Sequence, residues 1–293
     1  MSRIASITLF CGLLLSPLHF WGQKLSAEAL EQFKKAEAEF MPTVDSMNRI
    51  GILDERISYA HDFVKALSQV LKQENSFAYP FEELSTKIHI IYPEDKSFRI
   101  FNWPVEYAPA HFRYYGAIQK SDGTVIPLVD YSKKIEEIDP HKVFDNKTWF
   151  GQEYYRILTQ KGPDGKPLYF VFGVHHDRQN TTIKMMDVLQ FAGDKVTFGA
   201  PYFEKGNYRF VMEYQKGAQV SLNWDAERSM VVFDVLESEV SQPQRKHTLV
   251  ANGELDALKW TNYQWQWVPN ILPVLKLKDG QAPINGVIPE LRN

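Results

Sequence analysis

Between about residues 25 and 85 the hydrophobic positions recur at helical spacing. In "SAEALEQFKKAEAEF" the stripe runs through Leu30, Phe33, Ala36 or Glu37, and Phe40, the i, i+3, i+4, i+7 signature of one buried helix face. Ser26, placed ahead of Glu28 and Ala29, marks the start. Pro42 is expected to end or kink this helix, because its ring removes a donor and crowds the preceding turn. A second helix is expected over Asp54–Gln73, where Ile57, Ala60, Phe63, Val64, Leu67, Val70 and Leu71 repeat the pattern.

From Thr86 the period changes to two. "KIHIIYPEDKSFRIFNW" reads as strand, turn, strand, and "HFRYYGAIQKSDGTVIPLVDY" repeats the device around "SDG". Further turns fall at "GPDGKP", "AGDK", "QKGA", "WDAER" and the "TN" of "DALKWTNYQWQWVP". Aromatic and β-branched runs bounded by Gly, Asp and Asn at short intervals signify antiparallel sheet, with about twelve such runs. Residues 132–152, charged and carrying Pro140, read as a linker with a short helix. Residues 236–254 read as a polar, exposed loop. The fold class is therefore α+β: an N-terminal helical pair followed by a large antiparallel β-sheet body, whether curved meander, partial barrel or sandwich. The order of the strands is not legible.

The first residues, "MSRIASITLFCGLLLSPLHFWGQ", place one arginine before an apolar run from Ile4 to Leu15. That is the layout of a secretory signal peptide, too short to span a bilayer. The organisation that follows is a signal peptide over 1–23, a helical segment over 24–85 packed on the sheet, an antiparallel β domain over 86–269 and an extended tail over 270–293. The protein is expected to be exported, to the periplasm or beyond, with no integral membrane segment once the signal is removed. Cys11, the only cysteine, lies inside the apolar run, so the exported chain has no thiol for a nucleophile or a zinc–thiolate site.

The 293 residues carry a net charge of -3, with 24% charged residues; loss of Arg3 makes it about -4. Without a basic excess, no nucleic-acid partner is expected. No H-E-x-x-H, Walker glycine loop, G-x-S-x-G or dinucleotide fingerprint occurs, which lowers the odds of the common hydrolase and nucleotide-binding classes. No cofactor and no metal site is expected. The segment "FGVHHDRQNTT" (172–182) looks the most chemical. Strand alternation points His175 and His176 to opposite faces, and "DRQN" signals a turn. They are therefore expected on a polar hairpin tip, with the strand leaving the core at Val174.

Three carboxylates stand within apolar strands: Asp187 in "MMDVL", Glu213 in "VMEYQ" and Asp234 in "VFDVL". Alternation alone accounts for them on the solvent face of a half-covered sheet. If they converge, they are candidate ligand contacts or an acid–base pair. Tyr263, Trp265 and Trp267 in "WTNYQWQW" share one strand face, and so form either a sugar-stacking platform or a core stripe packed under a neighbour such as the helices.

The segments "SFRIFNW", "FRYYGAIQ", "WFGQEYYRIL", "YFVFGVHHDR", "DVLQFAGDKVTFGAPYF", "VSLNWDAERSMVVFDVL" and "DALKWTNYQWQW" together resemble a family of uncharacterised exported proteins of Bacteroidetes-type bacteria. The resemblance covers about Ser97 to Trp267 and implies export and a β-rich body, with no assigned activity. In that family the position of "HHD" is more commonly a Gly-Trp-Asp-like stretch, which implies variable decoration. The leading expectation is a non-enzymatic module of the cell envelope that binds a small ligand, a glycan or an envelope protein. The alternative is a carboxylate-dependent hydrolase acting on a glycan.

Overall fold

The apolar periodicity resolves into two helices and fourteen strands among the described residues. The computed structural model describes residues 25–193 and 195–271. The expected signal peptide, and the expected tail from residue 272 onward, lie outside them.

Helix α1 spans Ala27–Arg49, and the Ser26 side chain accepts the Ala29 N–H at its start, satisfying one orphan donor of the first turn. Pro42 lies inside this helix and does not end it. Its missing N–H frees only the carbonyl four residues back, while Val44 and Met47 extend the buried stripe of Phe33, Glu37 and Phe40. Packing by that face outweighs a propensity penalty of about 3 kcal/mol. Helix α2, Leu53–Leu71, buries Ala60, Phe63, Leu67, Val70 and Leu71; Val64 stays exposed.

The strands form three antiparallel sheets. The N-terminal sheet has the order β1 (His89–Ile91), β2 (Phe98–Ala108), β3 (His111–Lys120), β4 (Val125–Val129). The central sheet contains β5 (Phe144–Asp145), β6 (Glu153–Lys161), β7 (Pro167–His175), β8 (Thr181–Ala192), β9 (Lys195–Phe198) and β10 (Arg209–Gln215). Its order is β5-β9-β8-β7-β6, with β10 also paired to β8. The C-terminal sheet has the order β11 (Leu222–Asp225), β12 (Met230–Ser238), β13 (Leu249–Thr261), β14 (Gln264–Val268).

Alternation along the strands stacks these sheets. On β2, Phe101, Trp103 and Val105 pack against the helices. Phe98 and Ile100, on the opposite face, meet Val171, Ile183, Met185 and Leu189 of the central sheet. Phe170, Phe172, Met186 and Val188 then cover Leu222, Phe233, Leu258 and Trp265 of the C-terminal sheet. The layers run helices, sheet, sheet, sheet. The central sheet is therefore covered on both faces, so β7 and β8 read as near-continuous apolar runs and not as a half-polar alternation.

Two expected loops change character. Residues 132–152 are no simple linker: Phe144, Trp149, Phe150 and Gln152 are buried, and Phe144–Asp145 forms β5. Of the polar stretch 236–254, the two ends belong to β12 and β13, which extend to Ser238 and begin at Leu249, and the exposed loop is confined to the residues between them.

A charged knot fastens the helices to the sheet. Arg99, wholly buried, donates to Gln119 Oε1 (2.8 Å), Tyr79 O (2.6 Å), Ser76 O (2.8 Å) and the Tyr92 hydroxyl (2.9 Å). Phe81 and Phe101 flank the guanidinium at 5.0 and 4.8 Å. Beside it, buried Glu37 accepts the Leu84 N–H (2.8 Å) and the Tyr79 hydroxyl. Carbonyl dipoles and ring faces stand in for the water this cation gives up.

Candidate functional site

The three strand carboxylates have separate jobs. Asp187 on β8 is 1% exposed and pairs across the strands with Arg209 on β10. Its Oδ2 lies 3.1 Å from Arg209 Nε, and its Oδ1 accepts the Val188 N–H at 2.8 Å. Arg209 also donates to Asp139 O (2.7 Å) and Phe198 O (3.2 Å) and lies over the Phe144 ring. Burial pushes the Asp187 carboxyl above its ordinary pKa, and the neighbouring guanidinium pulls the other way. Asp187 thus does not occupy a solvent face, because the N-terminal sheet covers that side.

Glu213 pairs with Ile183, four residues along β8 from Asp187, a separation of about 13 Å at the rise of a strand. It accepts the Thr181 hydroxyl proton at 2.7 Å. Asp234 belongs to β12, in the other sheet, and accepts the Ser221 N–H at 2.6 Å. No common substrate atom lies within reach of all three.

The histidine segment is an inter-sheet tie and not a solvent tip. His175 is the last residue of β7 and is 2% exposed. Its ring lies between those of Tyr114 and Phe150, at centroid distances of 5.0 and 4.7 Å. Nδ1 is 2.5 Å from the Gly151 carbonyl. A carbonyl only accepts, so Nδ1 carries the proton and the ring is the neutral Nδ1–H tautomer. Desolvation lowers the His175 pKa to about 4, against a smaller opposing pull from that hydrogen bond.

The neighbours share the task. The His176 N–H donates to the Tyr114 hydroxyl (2.6 Å). Asp177 accepts the Phe112 N–H (3.0 Å) and faces His111 Nδ1 (3.0 Å). Arg178 donates to Ile135 O (2.7 Å). Val174, expected to be the last core residue, is less buried than His175. It lies on the opposite face of β7. Among the described residues, no three His, Cys, Asp or Glu side chains gather into a metal-holding group.

The aromatic stripe splits three ways. Asn262 and Tyr263 both have positive φ (53° and 61°), and Thr261 pairs with Gln264. This is a two-residue turn of the twist-matched type, so the hairpin tip is Asn262-Tyr263 and Tyr263 leaves the strand face. Trp265 is fully buried against Phe170, Trp260 and Trp224, at 5.5, 5.2 and 6.4 Å. Burial of such a ring stabilises the fold by roughly 2–3 kcal/mol. The stripe packs on the central sheet and not on the helices. Trp267 is half-exposed at the rim, its Nε1 donating to Asp256 Oδ2 (2.8 Å) and its ring edge-on to Phe233.

One concave feature joins all three sheets. A cleft of about 340 Å³ opens where the turn between β1 and β2, strand β6 and the β11–β13 region of the C-terminal sheet come together. Trp224 and Trp260 line it with Glu94, Gln160, Ser229 and Thr159. Both indoles lean on Trp265, at interplanar angles of 78° and 57°, so the buried tryptophan braces the two in the cleft. The Thr159 hydroxyl oxygen is shielded and has no hydrogen-bond partner among the described residues. Glu94 is the only ionisable side chain in the lining. Its neighbour Asp95 is committed to structure, accepting from Tyr169 (2.7 Å) and Ser97 (2.7 Å).

Sequence reasoning missed this site. The residues are 166 positions apart at the extremes, Glu94 to Trp260, and nothing local distinguishes Trp224 or Trp260 from core tryptophans. The one available signal was the pair Glu94-Asp95 in a hairpin turn.

No family model matches the chain, and neither a curated protein nor a solved structure matches it.

Proposed function

We propose that the protein is an exported, non-enzymatic binding module of the cell envelope that takes a small ligand in the cleft between its three sheets. The observation that carries this reading is the composition of the cleft. Two braced indoles and several groups able to both donate and accept hydrogen bonds surround a single carboxylate. Ligand sites combine apolar surface with a few placed polar groups in this way, in volumes of about 300–1,000 Å³. A glycan hydrolase needs two carboxylates flanking one bond. Glu94 has no acidic companion in the cleft, and Asp187, Glu213 and Asp234 serve separate contacts elsewhere. Export rests on the basic-then-apolar layout of residues 3–15.

A thermal-shift screen of the purified protein against a small-molecule panel, with mass spectrometry of the recovered ligand, tests the reading. The expected result is a dose-dependent rise in melting temperature and a chemically unchanged ligand. Turnover of any probe, lost in Glu94→Gln, overturns the non-enzymatic reading. Sequencing the N-terminus of protein from the envelope fraction tests export, with a start expected near Gly22–Lys24.

A further inference from the structure

We propose that the ligand of the cleft is a neutral saccharide, bound with its ring against Trp224 or Trp260 and its hydroxyls on Glu94, Gln160 and Ser229. The inference rests on the binding reading above and adds the chemical class.

Charge narrows the class first. The lining has one carboxylate and no Lys, Arg or His, so an anionic ligand, including an acidic sugar, meets repulsion without a counter-charge. Hydrogen-bond accounting narrows it further. Gln160 and Ser229 each donate and accept, while Glu94, when ionised, accepts with two oxygens. A purely apolar guest would leave these groups facing it unpaired, which is costly once water is displaced. A quaternary ammonium ion suits the indoles and the carboxylate but offers no donor or acceptor to Gln160 or Ser229. A pyranose matches both halves. Its C–H face lies against an indole, and its hydroxyls donate to Glu94 and exchange bonds with the Gln160 amide and the Ser229 alcohol.

The aromatic walls are preorganised. Trp260 is held by Phe170 at 5.3 Å and by Trp265 at 5.2 Å, and Trp224 by Trp265 at 6.4 Å. Little side-chain freedom is then lost on binding. Trp267 lies on the same strand as Trp265 but outside the lining, and provides an internal control.

The experiment is titration of the purified full-length protein by calorimetry. The probes are neutral oligosaccharides (β-glucan, mannan and chitin fragments), a uronic-acid oligomer and tetramethylammonium. The variants are Trp224→Ala, Glu94→Gln, Trp267→Ala and Ser229→Trp. Ser229 is exposed on the turn between β11 and β12 with a φ of 52°, so Ser229→Trp strains only that turn, obstructs the mouth of the cleft without removing a core contact, and remains informative if Trp224→Ala unfolds. The expected result is binding of at least one neutral oligosaccharide, weakened about tenfold or more by Trp224→Ala and by Ser229→Trp, several-fold by Glu94→Gln, and unchanged by Trp267→Ala. Saccharide binding that survives Ser229→Trp overturns the assignment to this cleft. Binding of tetramethylammonium or the uronic acid alone, abolished by Ser229→Trp, overturns the saccharide class and leaves the binding reading standing. Silence from every probe here overturns the saccharide assignment. Silence in the broad thermal-shift panel as well removes the binding reading with it.

Discussion

His175 makes the protein sensitive to acid in a defined window. Its ring is enclosed by Tyr114 and Phe150 and is neutral, with Nδ1–H on the Gly151 carbonyl. In the unfolded chain it titrates at its ordinary 6.5, and in the fold at about 4. The folded pKa is depressed, so between these values the unfolded chain binds the proton and the native state does not. The stability contributed is fully present above about pH 6.5 and is lost as pH falls towards 4. At about 1.4 kcal/mol per pH unit the loss amounts to about 3 kcal/mol, a large share of the stability of a typical domain.

Urea unfolding of the parent and of His175→Phe at pH 7, 6, 5 and 4 checks this. Phe removes the ionisable group and keeps a ring between Tyr114 and Phe150, at the cost of about 1 kcal/mol for the lost hydrogen bond. The carboxylates titrate in both proteins and cancel in the difference. The gap between the two curves should close, and then reverse by about 2 kcal/mol, as pH falls from 7 to 4. Parallel curves across that range would falsify the burial argument. His89 does not mimic the effect, because its hydrogen bond to Glu153 at 2.6 Å raises its pKa. Its contribution is present below pH 6.5 and lost as pH rises through the raised value.

Two further substitutions probe the buried polar contacts. Arg209→Met leaves Asp187 in an apolar layer without its cation and should cost about 3–5 kcal/mol in chemical denaturation, whereas Arg209→Met combined with Asp187→Leu should recover most of it; a double variant as unstable as the single one would show that the pair is not the source. Gly173→Ala places a methyl group into the buried side chain of Gln152, with an expected loss of about 1–3 kcal/mol. Adding Gln152→Ala should relieve the clash, and a Gly173→Ala protein of parental melting temperature would refute the steric account.

The histidine segment illustrates how far a linear reading reaches. Alternation correctly placed His175 and Val174 on opposite faces of β7, since side-chain direction in a strand is a local property. It did not say which face is covered. Coverage comes from Tyr114, more than fifty residues earlier, and from Phe150, within a stretch that reads as a charged linker. Asp187 follows the same logic: its face was predictable, but the N-terminal sheet over that face was not. Pro42 is the converse, a strong local signal overruled because Val44 and Met47 bury against a partner helix.

The helical pair, the antiparallel body and most of the turns are legible in the order of residues, because periodicity and turn chemistry act over a few positions. The stacking of the strands as three sheets, with the middle one covered on both faces, emerges in three dimensions alone. Only that stacking brings Glu94, Gln160, Trp224 and Trp260 together from three sheets into one cleft. The physical reason is range: backbone preference is local, whereas burial and site assembly depend on which distant surfaces exclude water from one another.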